Sequence, residues 1–359
     1  MSDYTIRQYQ REDKDEFLSL YATVMGETKG GDWFDWKYAE NPYISHVPMV
    51  VATSQGSLIG SRPLFAIPIV INGEHDVALQ PGDAMVHPEH RRQGLFSRMM
   101  EEAIERYSGE YPFYFTFPNE LSGPTHINHG GEIVSNRTSY YRVENPGNLI
   151  RSRTSRKSIR FIGDIATPVA KGYYGLRDFT APAESNVSIT VESEPPTEKL
   201  AALYRESVPE QIHAHRDEQF YQWRLENPDW EYTTFLAEIK REPIAAIITG
   251  TSASPELTTT KFTDVVPLQS QPNAVLMELF AHILTTHSET DEFIIPPQGF
   301  PESIVTRFGF HADATPPLSL VASQTTHVVR TLSNGWKQHG YDIREPENWL
   351  MTFVEDDTS

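Results

Sequence analysis

A short segment near the start of the chain recurs in its second half, and this repeat limits the possible folds more than any other feature. The first copy, at residues 34–42, reads FDWKYAENP, and the second, at residues 221–228, reads YQWRLENP once one residue is gapped. Both copies are followed by the same signals: two strands, a long middle strand, a helix, a strand and a glycine-containing turn. Matched text with matched order indicates two similar units in one chain.

Apolar spacing predicts that each unit mixes strands with helices. Residues 13–25 and 96–107 have the helical period, whereas residues 49–53 and 57–71 form strand-like runs before an Asn72-Gly73 hairpin turn. The predicted fold class is therefore α/β, or α+β.

The order of these signals divides the chain into three segments. Residues 1–145 form the first unit, residues 146–185 are a connector with a basic cluster, and residues 186–359 form the second unit with a C-terminal extension. We predict that a strand at residues 139–143 closes the first unit and that a last strand lies at residues 318–322.

The composition argues against several partners and sites. The chain has 49 acidic and 30 basic residues, a formal net charge of −19, which disfavours nucleic acid and anionic lipid. The acidity favours solubility, or the attraction of a cationic acceptor. With no cysteine and no H-E-x-x-H spacing, we expect neither disulfides nor a metal. The polar start, and the lack of any apolar run near the roughly 20 residues that span a bilayer, predict a cytoplasmic protein.

The segment from Ala84 to Met99 carries the clearest chemical signal. An apolar strand runs into a turn with a proline, arginines and Gly94, and a helix follows at once. The first N–H groups of a helix lack an intrahelical partner, and the helix dipole adds partial positive charge there. Because Gly94 has no Cβ, a phosphate can approach the backbone closely. We therefore expect a diphosphate on the amides of residues 92–97.

This segment resembles the coenzyme loop of the GNAT acetyltransferases. Arg91-x-x-Gly94-x-Phe96 is similar to the family's Q/R-x-x-G-x-G/A motif, and residues 86–91 are similar to its V-x-P-E-[YH]-R lead-in. Phe96 replaces a small residue, and the segment also resembles the enhanced-intracellular-survival branch. The resemblance implies two tandem GNAT-like domains, each with a mixed, mostly antiparallel sheet flanked by helices, and acetyl-CoA as the cofactor. The coenzyme-binding residues it implies are Ala84, Met85, Val86, Arg91, Arg92, Gln93, Gly94, Leu95, Phe96, Ser97 and Asn119.

The second unit lacks this loop. Residues 267–272, which read PLQSQP, occupy the corresponding place and contain neither Arg nor Gly. We therefore expect a degenerate GNAT-like domain that packs on the first and helps to form the acceptor pocket.

His126 is the candidate general acid. The family motif Asn-x-x-Ala-x-x-x-Tyr, whose Tyr often protonates the departing thiolate, corresponds here to Asn119, Ser122 and His126. An imidazolium could give up a proton near neutral pH, while a surface histidine is the alternative. Tyr140 and Tyr141 are reserve candidates.

Asp83 is the candidate general base. It lies at the strand interruption after Pro81-Gly82, where the family often places an acidic residue that acts directly or through water. A plain turn carboxylate is the alternative. Asp356 and Asp357 follow a possible late strand at residues 349–354; they either fold back to recruit a cationic acceptor or form a disordered tail.

We therefore expect an N-acetyltransferase that acts on an amine, with a small molecule as its acceptor. A protein N-acetyltransferase and a non-catalytic, coenzyme A-binding regulatory protein are the alternatives. The intact loop from Arg91 to Gly94 favours the enzymes, whereas Phe96 and the loss of the tyrosine at position 126 favour the regulator. No feature of the sequence indicates an oligomeric state.

Overall fold

The computed structural model describes residues 4–119, 122–153, 186–316, 318–320 and 325–358. The helix predicted near residues 162–173, and most of the basic cluster of the connector, lie outside the described residues.

Strands from both halves of the chain build the first sheet. In sheet order they are β1 (Tyr4–Gln8), β2 (Met49–Ser54), β3 (Ser57–Ile71), β4 (Glu74–Pro81), β6 (Phe113–Thr116), β16 (Thr325–Thr331) and β7 (Glu132–Arg137), with β5 (Met85–Val86) and β10 (His213–Ala214) paired to β3. β1, β2, β3 and β4 pair antiparallel with one another in that order, and β6 is parallel to β4. The predicted hairpin between β3 and β4 turns at Asn72 (φ 51°) and Gly73 (φ 79°), as such two-residue turns require.

The second sheet repeats this arrangement. Its strands are, in order, β9 (Ser188–Glu192), β11 (Glu231–Ile239), β12 (Glu242–Ala253), β13 (Thr258–Val266), β14 (Glu292–Ile295), β8 (Tyr140–Val143) and β15 (His311–Ala312). β9, β11, β12 and β13 pair antiparallel with one another in that order, and β14 is parallel to β13. A small hairpin of β17 (Lys337–Gln338) and β18 (Tyr341–Asp342) stands apart. The predicted fold class is therefore confirmed.

Helices cover the sheets. They are α1 (Lys14–Met25), α2 (Gly31–Phe34, extended by a π-helical turn at Asp35–Ala39), α3 (Leu95–Tyr107), α4 (Gly123–Asn128), α5 (Pro146–Arg153), α6 (Thr197–Glu206), α7 (Glu218–Arg224), α8 (Asn273–Thr286) and α9 (Glu302–Arg307). The helical spacing of residues 13–25 buries Phe17, Leu20 and Tyr21, and α1 ends at Gly26 in the left-handed conformation (φ 80°). Among the described residues, no helix is long and apolar enough to cross a membrane.

The two sheets exchange strands. β8, which we predicted to close the first unit, pairs antiparallel with β14 in the second sheet, and β16 lies between β6 and β7 in the first. That assignment of residues 139–143 to the first unit is therefore wrong. β6 and β14 each pair antiparallel with a strand from the other half of the chain, so the predicted segments 1–145 and 186–359 interlock. The predicted boundaries of these segments stay a prediction.

A shared apolar core lies between the two units. It contains residues of both halves, among them Phe17, Trp36, Phe65, Trp223 and Trp349, all buried. Separate clusters lie under α3 and under α8. Because the shared core needs side chains from both units, we expect the halves to fold together rather than independently.

Two predictions for the end of the chain are wrong. The strand predicted at residues 318–322 begins instead as a 3₁₀ turn at Leu318–Leu320, and the strand that follows is β16. Residues 349–354 form no strand but run in the interior, where the amide of Val354 donates to the carbonyl oxygen of Thr263 at 3.0 Å.

Candidate active site

The first sheet opens at the end of β4. Leu79 of β4 pairs in parallel with Tyr114 of β6, and the Thr116 hydroxyl donates to the carbonyl oxygen of Pro81 at 2.9 Å. Beyond Pro81 the chain leaves the ladder, and Asp83 has a φ of 44°. β5 then resumes pairing with β3, and in the described residues it pairs with no other strand. The predicted interruption is therefore confirmed, and one edge of β5 is left for another partner.

The predicted phosphate loop connects β5 to α3. Pro88–His90 form a 3₁₀ turn, Arg92 has a φ of 62°, and Gly94 has a φ of 72° as the N-cap of α3. A Cβ at Gly94 would meet no atom within 4 Å, so the backbone conformation rather than crowding favours glycine here. The buried side chains of Leu95 and Met99 fix the first turn of α3 on the sheet.

A cleft of about 890 Å³ lies between the opened strand and this loop. We call it the coenzyme cleft. It brings together most of the residues that the sequence predicts for coenzyme binding: Ala84, Val86, Arg91, Arg92, Gly94, Leu95, Phe96, Ser97 and Asn119. Met85 is buried and Gln93 is exposed, and neither lines the cleft. The cleft is also lined by Val24, Met25, His90, Ser122 and Thr125. Of these five, His90 could have been predicted from the sequence, because it belongs to the loop motif.

The structure buries His126, the candidate acid. Its ring is 2% exposed, with Nε2 at 3.2 Å from a guanidinium nitrogen of Arg62 and Nδ1 at 3.4 Å from the Tyr114 hydroxyl. Burial, the charge of Arg62 and His129 lower the pKa of His126 to about 2. The ring is therefore buried and neutral rather than an exposed imidazolium, and the acid role of His126 stays a prediction.

The reserve candidates Tyr140 and Tyr141 lie in the other sheet. Both belong to β8, where they pair with Ile295 and Ile294 of β14. Tyr140 packs against the apolar cluster under α8. Neither tyrosine lines the coenzyme cleft, because β8 belongs to the second sheet.

Asp83 lies in a cluster of charges beside the strand opening. Its Oδ2 accepts hydrogen bonds from Lys37 Nζ at 2.7 Å and from the Tyr38 hydroxyl at 2.6 Å. Lys37 also contacts Asp357 Oδ2 at 3.1 Å and is 2% exposed. Burial alone would lower the pKa of Lys37, but Asp357 and Asp83 outweigh it and raise that pKa, so Lys37 remains an ammonium.

A second cavity, of about 220 Å³, opens next to this cluster. We call it the acceptor cavity. Its lining is acidic and aromatic: Glu27, Asp83, Asp229 and Asp357 supply carboxylates, Tyr21, Trp33 and Trp230 supply rings, and Lys29 and Lys37 contribute ammonium groups. Sequence reasoning missed Glu27, Trp33, Asp229 and Trp230. The repeated segments could have indicated three of these residues. Trp33 directly precedes the first copy, and Asp229 and Trp230 directly follow the second.

The C-terminal segment folds back to this cavity, so Asp356 and Asp357 do not form a disordered tail, while the recruitment of a cationic acceptor stays a prediction. Asp356 accepts a hydrogen bond from Arg137 at 2.7 Å, while Asp357 pairs with Lys37. Gly82 allows the approach, because a Cβ there would clash with the Asp357 carboxylate. Burial raises the pKa of Asp357, with Lys37 opposing and Asp83 adding to the shift.

The two cavities have a common wall. Asp83 lines the acceptor cavity and its neighbour Ala84 lines the coenzyme cleft. Tyr21 of α1 faces the first, and Val24 and Met25 of the same helix face the second. In the described residues, no group of three or more His, Asp or Glu side chains is arranged to hold a metal ion.

An opened strand beside a free helix N-terminus suits a phosphate-bearing acyl carrier, which is the ligand of an acyltransferase. Residues 5–125 match the family model of the acetyltransferase (GNAT) domain. This part of the chain, from β1 into α4, therefore belongs to the GNAT acetyltransferase family. No curated protein is detectably similar to the chain in sequence.

Solved structures with the same fold extend over most of the chain. A GCN5-related N-acetyltransferase from Anabaena variabilis is similar with a TM-score of 0.60 and 11% identity, covering 92% of this chain and 73% of that one. A probable N-acyltransferase from Enterococcus faecalis gives a TM-score of 0.62, 12% identity and coverage of 92% and 73%. Eis1 from Mycobacterium abscessus gives a TM-score of 0.53, 13% identity and coverage of 92% and 74%. At such identities the likeness concerns the fold.

Proposed function

We propose that the protein transfers an acetyl group from acetyl-CoA, bound in the coenzyme cleft, to the amine of a small cationic molecule bound in the acceptor cavity. The observation that carries this proposal is the common wall at Asp83 and Ala84. Donor and acceptor held on the two sides of one strand end can meet there without a large movement, and such positioning lowers the barrier of a two-substrate reaction.

The lining of the coenzyme cleft fits coenzyme A. The amides of Leu95, Phe96 and Ser97 begin α3 and have no acceptor within the helix, so they can bind a pyrophosphate. Arg91 and Arg92 add positive charge at the loop, and Arg91 Nε also holds the loop through the carbonyl oxygen of Val86 at 3.1 Å. The open edge of β5 suits the amides of the pantetheine arm. When bound, the coenzyme supplies an activated acetyl thioester.

The acceptor cavity fits a cation. Lysines already neutralise some of its carboxylates: Lys29 Nζ lies 2.9 Å from Asp229, and Lys37 Nζ lies 2.7 Å from Asp83. Lys29 also lies 5.7 Å from the centre of the Trp33 ring, which is cation–π distance. An acceptor ammonium can replace Lys29 at the same carboxylates and rings. The net charge of −19 adds a long-range attraction for such a molecule.

We infer that Asp83 takes the proton that an ammonium must lose before its nitrogen can attack. Lys37 and Tyr38 both donate to Oδ2, and no described side chain donates to Oδ1. Oδ2 is thus held in place, while Oδ1 can receive a proton from the acceptor, directly or through water. Tyr38 keeps its own proton, because burial and Asp83 raise its pKa well above the usual value.

The test is an acetyl transfer assay with a panel of amines, amino sugars and amino acids, in which coenzyme A release is measured and the product is identified by mass spectrometry. We expect turnover with multiply charged amines, and a kcat at least roughly a hundredfold lower in Asp83→Asn, as is typical for loss of a general base. Asp76→Asn, at a half-buried carboxylate near the hairpin, is the matched control. Turnover that is equal in the two variants would remove Asp83 from the mechanism.

A coenzyme-binding protein without transfer activity is the second candidate, and the burial of His126 favours it. The family position for a thiolate acid here holds a neutral imidazole that does not line the cleft. Tight coenzyme binding with no product from any amine or peptide in the panel would support this second candidate. Acetylation of peptides alone would instead support a protein acceptor.

A further inference from the structure

A buried positive charge with no counter-ion in the described part of the chain lies beneath the coenzyme cleft. Arg62, on β3, is 1% exposed. One guanidinium nitrogen contacts Met100 Sδ at 3.1 Å and His126 Nε2 at 3.2 Å, while Nε has no hydrogen-bond partner. Among the described residues, no Asp or Glu forms an ion pair with it. A buried charge left unpaired destabilises a fold, so its presence calls for an anionic partner other than the described residues.

The groups that face Arg62 do not neutralise it. Burial lowers its pKa to about 10, so the guanidinium stays protonated at neutral pH. Since it can only donate, His126 accepts at Nε2 and carries its own proton on Nδ1. Burial raises the pKa of Tyr114 to about 12, so that hydroxyl is neutral as well. The titratable groups of β6 and α4 that face Arg62 thus leave its full charge in place.

One layer of side chains separates this charge from the cleft. The Arg62 guanidinium lies 5.1 Å from the centre of the Phe96 ring, and Phe96 lines the coenzyme cleft. On the α4 side, Thr125 lines the cleft and the adjacent His126 contacts the guanidinium. The unusual ring at the last loop position therefore covers a cation at the place where the coenzyme phosphates are expected.

We propose that Arg62 is a positioning residue whose charge, acting through the Phe96 layer, holds the phosphate-bearing part of the coenzyme in the cleft. The proposal rests on the proposed function, because it requires coenzyme A as the ligand. For charges about 10 Å apart at an effective dielectric constant of about 20, Coulomb's law corresponds to roughly a tenfold change in the dissociation constant. A phosphate in the cleft would also supply the negative charge that no described residue places beside Arg62.

The test compares wild type with Arg62→Met and Arg62→Lys, by calorimetric titration with coenzyme A and with pantetheine, which lacks phosphate, and by thermal unfolding. We expect Arg62→Met to weaken coenzyme A binding about tenfold, to leave pantetheine binding unchanged within about twofold, and to keep or raise Tm, because an unpaired buried charge is removed. Arg62→Lys should bind coenzyme A within a few-fold of wild type. A purely structural role would instead lower Tm and weaken both ligands together, and that result would overturn the proposal.

Two further outcomes separate this inference from the proposed function. If wild type binds coenzyme A and Arg62→Met binds it equally well, only the role of Arg62 is refuted. If wild type binds no coenzyme A, the proposed function fails and this inference fails with it. If Arg62→Met does not fold, the alternative test is Phe96→Ala with inorganic pyrophosphate as the probe. Removal of the ring that covers Arg62 should tighten pyrophosphate binding at least about threefold, and weaker binding would contradict the proposal.

Discussion

Trp36 and Trp223 exchange hydrogen bonds through their indole nitrogens. Nε1 of Trp36 donates to the carbonyl oxygen of Trp223 at 2.8 Å, and Nε1 of Trp223 donates to that of Trp36 at 2.9 Å. Their rings lie 6.3 Å apart with 25° between the planes. The two residues hold the same place in the two copies of the repeated segment, so the units meet through a reciprocal contact like that of a symmetric dimer.

Loss of either indole donor should destabilise the whole chain. Trp36→Phe keeps a ring but removes a buried hydrogen bond to the carbonyl oxygen of Trp223, which still accepts from the amide of Glu226 at 3.2 Å. Such a loss typically costs about 0.5–1.5 kcal/mol. Trp223→Phe should behave alike, and the double variant should depart from additivity by at least about 0.5 kcal/mol because the residues touch. Chemical denaturation measures these values. Trp336→Phe, whose indole makes no hydrogen bond in the described part of the chain, is the control, and equal losses at all three sites would contradict the prediction.

Gly82 should be required for the C-terminal segment to pack in its observed position. Because a Cβ at Gly82 clashes with the Asp357 carboxylate, Gly82→Ala must displace Asp357 from Lys37. We expect a loss of about 1–3 kcal/mol in the free energy of unfolding, since a buried ion pair is broken, and a higher KM for the amine. Gly123→Ala, where a Cβ would meet nothing within 4 Å, should change neither quantity. A Gly82→Ala protein that matches the control would show that the segment is not held there.

Acid should destabilise the protein partly through His126. Its folded pKa of about 2 lies below the unfolded value of about 6.5, so its stabilising contribution is complete above pH 6.5 and is lost as the pH falls. This one group should remove roughly 2 kcal/mol between pH 7 and pH 5. Other histidines, such as His213 and His327, shift in the same direction, so the measurement is the difference between wild type and His126→Gln at both pH values.

The same variant tests the acid role directly. If His126 is a neutral core residue, His126→Gln should leave the shape of the pH profile of kcat unchanged, although it can alter its height. Loss of a titration step near neutral pH in His126→Gln would restore the histidine as the general acid.

A negative charge at Gly94 should weaken coenzyme binding. Gly94→Gln and Gly94→Glu suffer the same strain at φ 72° and differ only in charge. We expect Gly94→Glu to bind coenzyme A at least about tenfold more weakly than Gly94→Gln, because its carboxylate lies among the amides proposed for the pyrophosphate. Calorimetry at two salt concentrations checks this, since added salt should narrow the gap. Equal affinities would place the pyrophosphate elsewhere.

Local features of the chain were predictable from the sequence because neighbouring residues control them. The turn at Asn72-Gly73, the interruption after Pro81, and the loop that ends in Gly94 and starts α3 depend on backbone preferences and on hydrogen bonds within a few residues. The repeat likewise indicated two similar units, because the order of elements is written along the chain.

Contacts between distant residues decided the rest. The position of His126 could be predicted from its spacing to Asn119, but its protonation depends on Arg62, which lies 64 residues away along the chain. The acceptor cavity joins Glu27 with Asp229, and its wall includes Asp357 from the end of the chain. The exchange of β8 and β16 also depends on which strand edges meet. The sequence by itself thus determined most of the helices and strands and the loop before α3. The tertiary structure alone determined burial, charge pairing and the acceptor cavity, because these depend on distances in space that no local pattern encodes.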